Sequence, residues 1–151
     1  NIFRVAAKKL KKEAYEHKVA VHHFGRKDRM PKDLAMTLTK LEEETKSFSA
    51  YHFGLALDYG GRDEILRALK KIPESHTLSE SKLSEALDTQ SFPDPSLIIR
   101  TGGEQRLSGM MPWQSVYSEL YFSPLYFPDF DRTELRYAIE DYRSRQRRFG
   151  R

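Results

Sequence analysis

What most limits the fold of this chain is the way short apolar runs alternate with stretches of helical periodicity. The runs are Val19 to Phe24, Tyr51 to Leu57 and Leu97 to Ile99. A buried strand of a parallel sheet reads as a near-continuous apolar run, and its return connection needs a helix's length of chain. The alternation predicts an α/β fold with a mostly parallel central sheet flanked by helices. Residues 2 to 16 place Ile2, Ala6, Leu10 and Ala14 on one stripe. Pro31 suits the first turn of a second helix with Leu34, Leu38 and Leu41 inward. Gly60-Gly61 turns the second strand into a helix bearing Ile65, Leu66 and Leu69. Thr77 with Glu80 reads as a capping box for a short helix through Leu87, and Asp131 with Glu134 as another. Between them, Pro112 starts a helical turn through Tyr117 and Leu120 to Phe122 forms a further strand. The last helix carries Leu135, Ala138, Ile139 and Tyr142 on one face.

With 151 residues, 38% of them hydrophobic, the chain has material for one core. No repeat or low-complexity segment divides it, so residues 1–151 read as a single domain. The absence of cysteine excludes disulfides and thiolate metal sites, and fits a reducing compartment. No apolar run approaches the roughly 20 residues that span a bilayer. Lysine and arginine total 26 against 22 acids, a net charge of +4. That mixed surface favours small anionic substrates or a membrane surface at least as much as nucleic acid.

After Ile99 the chain runs Arg100-Thr101-Gly102-Gly103-Glu104-Gln105-Arg106-Leu107-Ser108-Gly109. Arginine offers a planar fork of donors matched to phosphate oxygens, and glycine lets backbone N–H groups approach a ligand closely. Ligands of open α/β sheets bind beyond the carboxyl ends of strands, which is where this loop falls. The residues alone leave a plainer reading open, with Arg100 paired to a carboxylate and Arg106 solvated. Glu104 is a plausible partner for either arginine.

Four ordered segments carry a resemblance. They are Leu55-Ala56-Leu57-Asp58-Tyr59-Gly60-Gly61-Arg62-Asp63-Glu64-Ile65, the Arg100 loop with Trp113-Gln114 and Tyr117-Ser118-Glu119-Leu120, Phe127-Pro128-Asp129-Phe130, and Arg147-Arg148-Phe149-Gly150. Together they resemble the carboxy-terminal part of the cis-prenyltransferase (undecaprenyl diphosphate synthase) family. Family members begin with a strand ending in a DGNxRWA motif, then two tunnel-lining helices and a SxENW segment, and this sequence contains none of these. The chain is thus expected to be the carboxy-terminal portion of a cis-prenyltransferase catalytic domain. It departs from the family pattern at Asp58, usually Asn, at Gly25-Arg26, usually Gly-Asp, and at Pro112, usually an apolar residue.

The resemblance implies condensation of isopentenyl diphosphate with an allylic diphosphate, extending a cis polyprenyl chain with Mg²⁺ as cofactor. It places the isopentenyl diphosphate on Arg100, Arg106 and Ser108, and assigns Glu119 to the metal. It also implies that Arg148 and Gly150, an R-x-G ending, reach the diphosphates across a homodimer interface. The family's aspartate belongs to the DGNxRWA segment, so no catalytic residue is assigned in this chain, which is expected to be inactive alone. A cytoplasmic protein, peripheral to a membrane through its lipid product, follows from the same likeness. The arginine-rich end reads otherwise as a solvated basic tail.

Trp113, Tyr117, Tyr121 and Phe122 read as packing or interface residues. His22 and His23 are neighbours in a strand and point to opposite faces, while His17, His52 and His76 lack partners at ligand spacing. None of the five histidines is assigned to chemistry. A non-catalytic accessory subunit of a heteromeric prenyltransferase is the alternative, although such subunits tend to lose the Arg-Thr-Gly-Gly-Glu loop present here. A nucleic-acid module is disfavoured by Glu134, Glu140 and Asp141 on the basic final helix, and no nucleic-acid partner is expected.

Overall fold

Ala14, Val21 and Leu41 form the centre of a buried cluster against which Leu10 packs, and each sits on an element that the periodicity predicts. The structure is a computed structural model that describes residues 2–145, with side chains from Val5 onward. The chain divides into two compact units, 1–90 and 91–151.

In the first unit, α1 (Ile2–His17) is followed by β1 (Val19–Phe24), α2 (Lys32–Thr45) and β2 (Tyr51–Ala56). Then come α3 (Gly61–Lys71) and α4 (Glu80–Ala86). Helix α2 buries Leu34, Leu38, Leu41 and Thr45, a stripe at spacings of four, three and four that faces β1. The stripe of α1 is rotated from expectation: Ala7 and Ala14 are buried while Ala6 is exposed. Strands β1 and β2 pair in parallel, with Val21 opposite Phe53 and Phe24 opposite Ala56.

The outer edge of β1 is closed by side chains instead of a strand. Thr45 Oγ1 accepts the Val21 N–H at 3.0 Å while donating to the Leu41 carbonyl at 2.8 Å. Glu42 Oε1 accepts the His23 N–H at 2.7 Å. Both contacts satisfy backbone donors that an edge strand otherwise leaves open.

Several expectations for this unit are corrected. Strand β2 is not buried along its length, since Tyr51 and Phe53 are exposed. On α3, Leu66 and Leu69 face outward, and the buried positions are Gly61, Glu64 and Ala68. The turn into α3 takes its left-handed residue at Asp58 (φ 48°), not at Gly60, whose φ of −144° suits any residue. The cap of α4 is Ser79, which accepts the Lys82 N–H, rather than Thr77. Glycine is needed at Gly25, where a Cβ would lie 2.4 Å from the Leu57 carbonyl oxygen.

Beyond the carboxyl ends of β1 and β2 lies an ion-pair network. Asp88 accepts both Arg67 Nη atoms, at 2.8 and 2.6 Å, and the Gly25 N–H at 2.9 Å. Its own N–H donates to the buried Glu64, which also takes the Tyr59 hydroxyl at 2.6 Å. Arg26 pairs with Asp28 and Asp63, and Arg29 with Asp58. The unusual residues Arg26 and Asp58 therefore each have an opposite charge beside them.

In the second unit, β3 (Leu97–Arg100) and β4 (Glu119–Phe122) pair in parallel, Leu97 opposite Glu119. Their crossover, residues 101–118, contains turns and no α-helix, including the stretch after Pro112. Helix α5 (Arg132–Ser144) is capped by Asp131, which accepts the Thr133 and Glu134 N–H groups. It buries Ala138, while Leu135 is exposed. Tyr117 is 75% exposed, so it does not serve internal packing. The α/β architecture with parallel strands is as expected, and its strands form two separate pairs in the described residues.

Candidate functional site

The loop after β3 is pinned from below. Ser123, fully buried, donates its N–H to the Arg100 carbonyl at 2.8 Å, and its hydroxyl accepts the Leu125 N–H at 3.2 Å. Gly102 and Gly103 turn at φ 91° and 75° and direct their N–H groups to the Leu125 and Ser123 carbonyls, at 2.6 and 2.9 Å. These two N–H groups hold the loop to the chain after β4, which corrects the expectation that they would cradle a ligand.

Arg100 lies at the end of β3, half-buried. Its Nη1 donates to the Arg106 carbonyl and, at 3.0 Å, to Ser108 Oγ. Ser108 holds a left-handed backbone at φ 50°, a conformation that costs a non-glycine residue on the order of 1 kcal/mol and needs its surroundings to hold it. Arg100 and Ser108 are thus brought together. The Arg106 guanidinium instead pairs with Glu104, their side chains being 60% and 49% exposed. So exposed a pair contributes little, about 0–1 kcal/mol, and opens readily when a stronger anion arrives.

Glu119 begins β4, fixed by its N–H donating to the Ser96 carbonyl at 3.0 Å. Its Oε2 accepts Arg145 Nη1 at 2.9 Å, and Arg145 Nη2 binds Asp141 at 2.6 Å. These two carboxylates hold the Arg145 pKa above its ordinary value, with Glu119 the larger influence. Arg145 and Asp141 were not candidates from sequence. Their four-residue spacing on a helix was visible, but the reach to Glu119 is long-range. Arg148 and Gly150 lie outside the described residues.

A hard divalent cation prefers oxygen ligands, and Mg²⁺ commonly takes one or two carboxylates with phosphates and waters. Glu119 offers one such carboxylate, and Asp141 a second, joined to it through Arg145. Among the described residues, the three-ligand group that does gather is Glu13, Glu16 and His17, exposed on α1. No helix among the described residues is long and apolar enough to cross a membrane.

A sequence profile of the undecaprenyl diphosphate synthases matches residues 1–150. Among similar proteins, the isoprenyl transferase of Aquifex pyrophilus is 44% identical over 143 residues, covering 93% of this chain and 62% of the relative. The tritrans,polycis-undecaprenyl-diphosphate synthase (geranylgeranyl-diphosphate specific) of Thermoplasma volcanium is 45% identical, covering 91% and 56%. The chain therefore spans about 60% of the length of these relatives. The lavandulyl diphosphate synthase of Lavandula x intermedia, solved with dimethylallyl diphosphate, superposes with a TM-score of 0.90 at 33% identity, over 99% of this chain and 70% of that one. A probable undecaprenyl diphosphate synthase from Campylobacter jejuni gives 0.90 at 32%, over 99% and 72%.

Proposed function

Because this chain belongs to the undecaprenyl diphosphate synthase family of prenyltransferases, we propose that it carries the isopentenyl diphosphate half-site of a cis chain-elongating enzyme. The reaction joins isopentenyl diphosphate to an allylic diphosphate and releases pyrophosphate. Residues 1–151 act, in this reading, as the carboxy-terminal portion of one catalytic domain in a homodimer. The observation that carries it is the convergence of Arg100 and Ser108 on a loop pinned through Ser123.

Arg100 and Ser108 bind the isopentenyl diphosphate, and Arg106 joins them by exchanging Glu104 for a phosphate oxygen. Fixed donors of this kind hold the substrate where its double bond can attack the allylic carbon. Mg²⁺, when bound, offsets the charge that builds on the departing pyrophosphate. Glu119 is the residue of this chain that would hold it, with Arg145 giving way or turning toward Asp141. Arg148 and Gly150 contribute to the partner's diphosphate site. The protein works in the cytoplasm, at a membrane surface when its product is lipid. The intact loop speaks for a catalytic role rather than an accessory one.

Arg100→Ala tests this in the full-length protein. A charge-assisted hydrogen bond contributes roughly 1.5–3 kcal/mol, so the KM for isopentenyl diphosphate should rise about 10- to 100-fold. The KM for the allylic substrate should hardly move. An unchanged KM for isopentenyl diphosphate would count decisively against the assignment.

A further inference from the structure

The sequence gives His52 no partner, yet the tertiary structure provides one. Parallel register sets Ala20 opposite His52 and His22 opposite Gly54. The two imidazoles are therefore diagonal neighbours on one face, and Gly54 puts no side chain beside His22. His22 Nε2 and His52 Nδ1 are 3.2 Å apart, with ring centroids 5.4 Å apart and planes inclined at 34°. Both rings line a hollow of about 400 Å³ with Val21, with Thr39, Glu42 and Glu43 from α2, and with Lys46 just after it.

We propose that His22 and His52 form a two-imidazole site for a zinc-class divalent ion. Two nitrogens 3.2 Å apart, each about 2.0–2.1 Å from an ion, subtend about 100° there, close to the tetrahedral angle. Imidazole pairs select zinc, nickel and copper over magnesium, which prefers carboxylate and water. Where the neutral pair holds a hydrogen between the rings, binding of the ion moves it to the far nitrogen of its own imidazole. Both facing lone pairs then reach the ion, and no net proton is lost.

The surrounding charges allow the site. Glu42 is committed to the His23 N–H and to Lys27, so it acts as a fixed negative charge. Glu43 pairs with Lys46, the two side chains being 69% and 67% exposed, a contact that opens at small cost. Its carboxylate can turn to become a third ligand, with water completing the shell. An ion held there clips the exposed start of β2 to β1.

The test is a calorimetric Zn²⁺ titration of the purified chain, with thermal melting in parallel and circular dichroism to confirm folding. One equivalent should bind with a rise in Tm, and Mg²⁺ at the same concentration should produce no comparable rise. His22→Ala and His52→Ala should each weaken binding at least about tenfold, because one arm of the chelate is gone. His17→Ala should leave it unchanged. Wild-type Zn²⁺ affinity in either His22→Ala or His52→Ala would overturn the proposal, as would loss of binding in His17→Ala alone, which places the ion on α1. Absence of binding by the wild-type chain would overturn it too.

Discussion

Arg100 and Ser108 were legible in the sequence as anion-binding residue types. Glu104 was legible too as a partner for the arginines, and it takes Arg106. That the Gly102 and Gly103 N–H groups would be taken by backbone carbonyls was not, because it depends on which chain lies beneath the loop. The same holds for Glu119, whose contact with Arg145 spans residues far apart in the chain. Glu119→Gln keeps the size of the side chain and removes its charge. In the full-length protein it should raise the Mg²⁺ needed for half-maximal turnover about tenfold, since one carboxylate is a large share of a magnesium site. A Mg²⁺ titration that matches wild type would remove Glu119 from that role. His23 gives a pH prediction. Burial is the largest influence on its pKa and lowers it below the ordinary 6.5, against the Leu57 carbonyl that its ring N–H binds. Below pH 6.5 the unfolded chain binds more protons than the folded one, so stability should fall as the pH drops through that window. Thermal melts between pH 7 and 5.5 should show Tm declining, and His23→Gln should flatten the decline.

At the scale of elements, helical periodicity located α2 and its inward leucines because a stripe at that spacing has one way to be buried. It misplaced the α3 stripe. There the buried positions are taken by Gly61, Glu64 and Ala68, since Glu64 ties Tyr59 to the Asp88 N–H. Asp88 is the staple between α3 and the end of α4. Burial would raise its pKa, but the Arg67 bonds and the Gly25 N–H bring it below 3.8 instead. Its contribution is thus present above that pH and lost below it. Asp88→Ala leaves Arg67 partly buried without its bidentate partner and should destabilise the chain by about 2–3 kcal/mol, near the low end for a broken buried pair. Denaturant melts that show less than about 0.5 kcal/mol would refute the staple. Thr45 plays a comparable part at the edge of β1. Thr45→Val keeps the shape, removes the acceptor for the Val21 N–H, and should cost about 1–2 kcal/mol.

At the scale of the whole molecule, the described surface carries large apolar groups in the open. Tyr51 and Phe53 are exposed on β2, and Tyr117, Tyr126 and Phe127 are each more than 70% exposed in the second unit. Such surface drives association, so the isolated chain should show concentration-dependent self-association by light scattering. Clean monomeric behaviour with a sharp melting transition would contradict this. The α/β class followed from sequence alone, because apolar runs separated by helical stretches have few ways to bury their backbone polar groups. The arginine- and glycine-rich loop and the family were equally readable, since both rest on short local runs of residues. Tertiary structure decided the rest. It set the pairing of β1 with β2 that joins His22 to His52, the Ser123 anchor under the loop, and the Glu119 carboxylate that takes up Arg145. Each of these joins residues that the chain brings together only after its strands choose a register, and no local pattern encodes that choice.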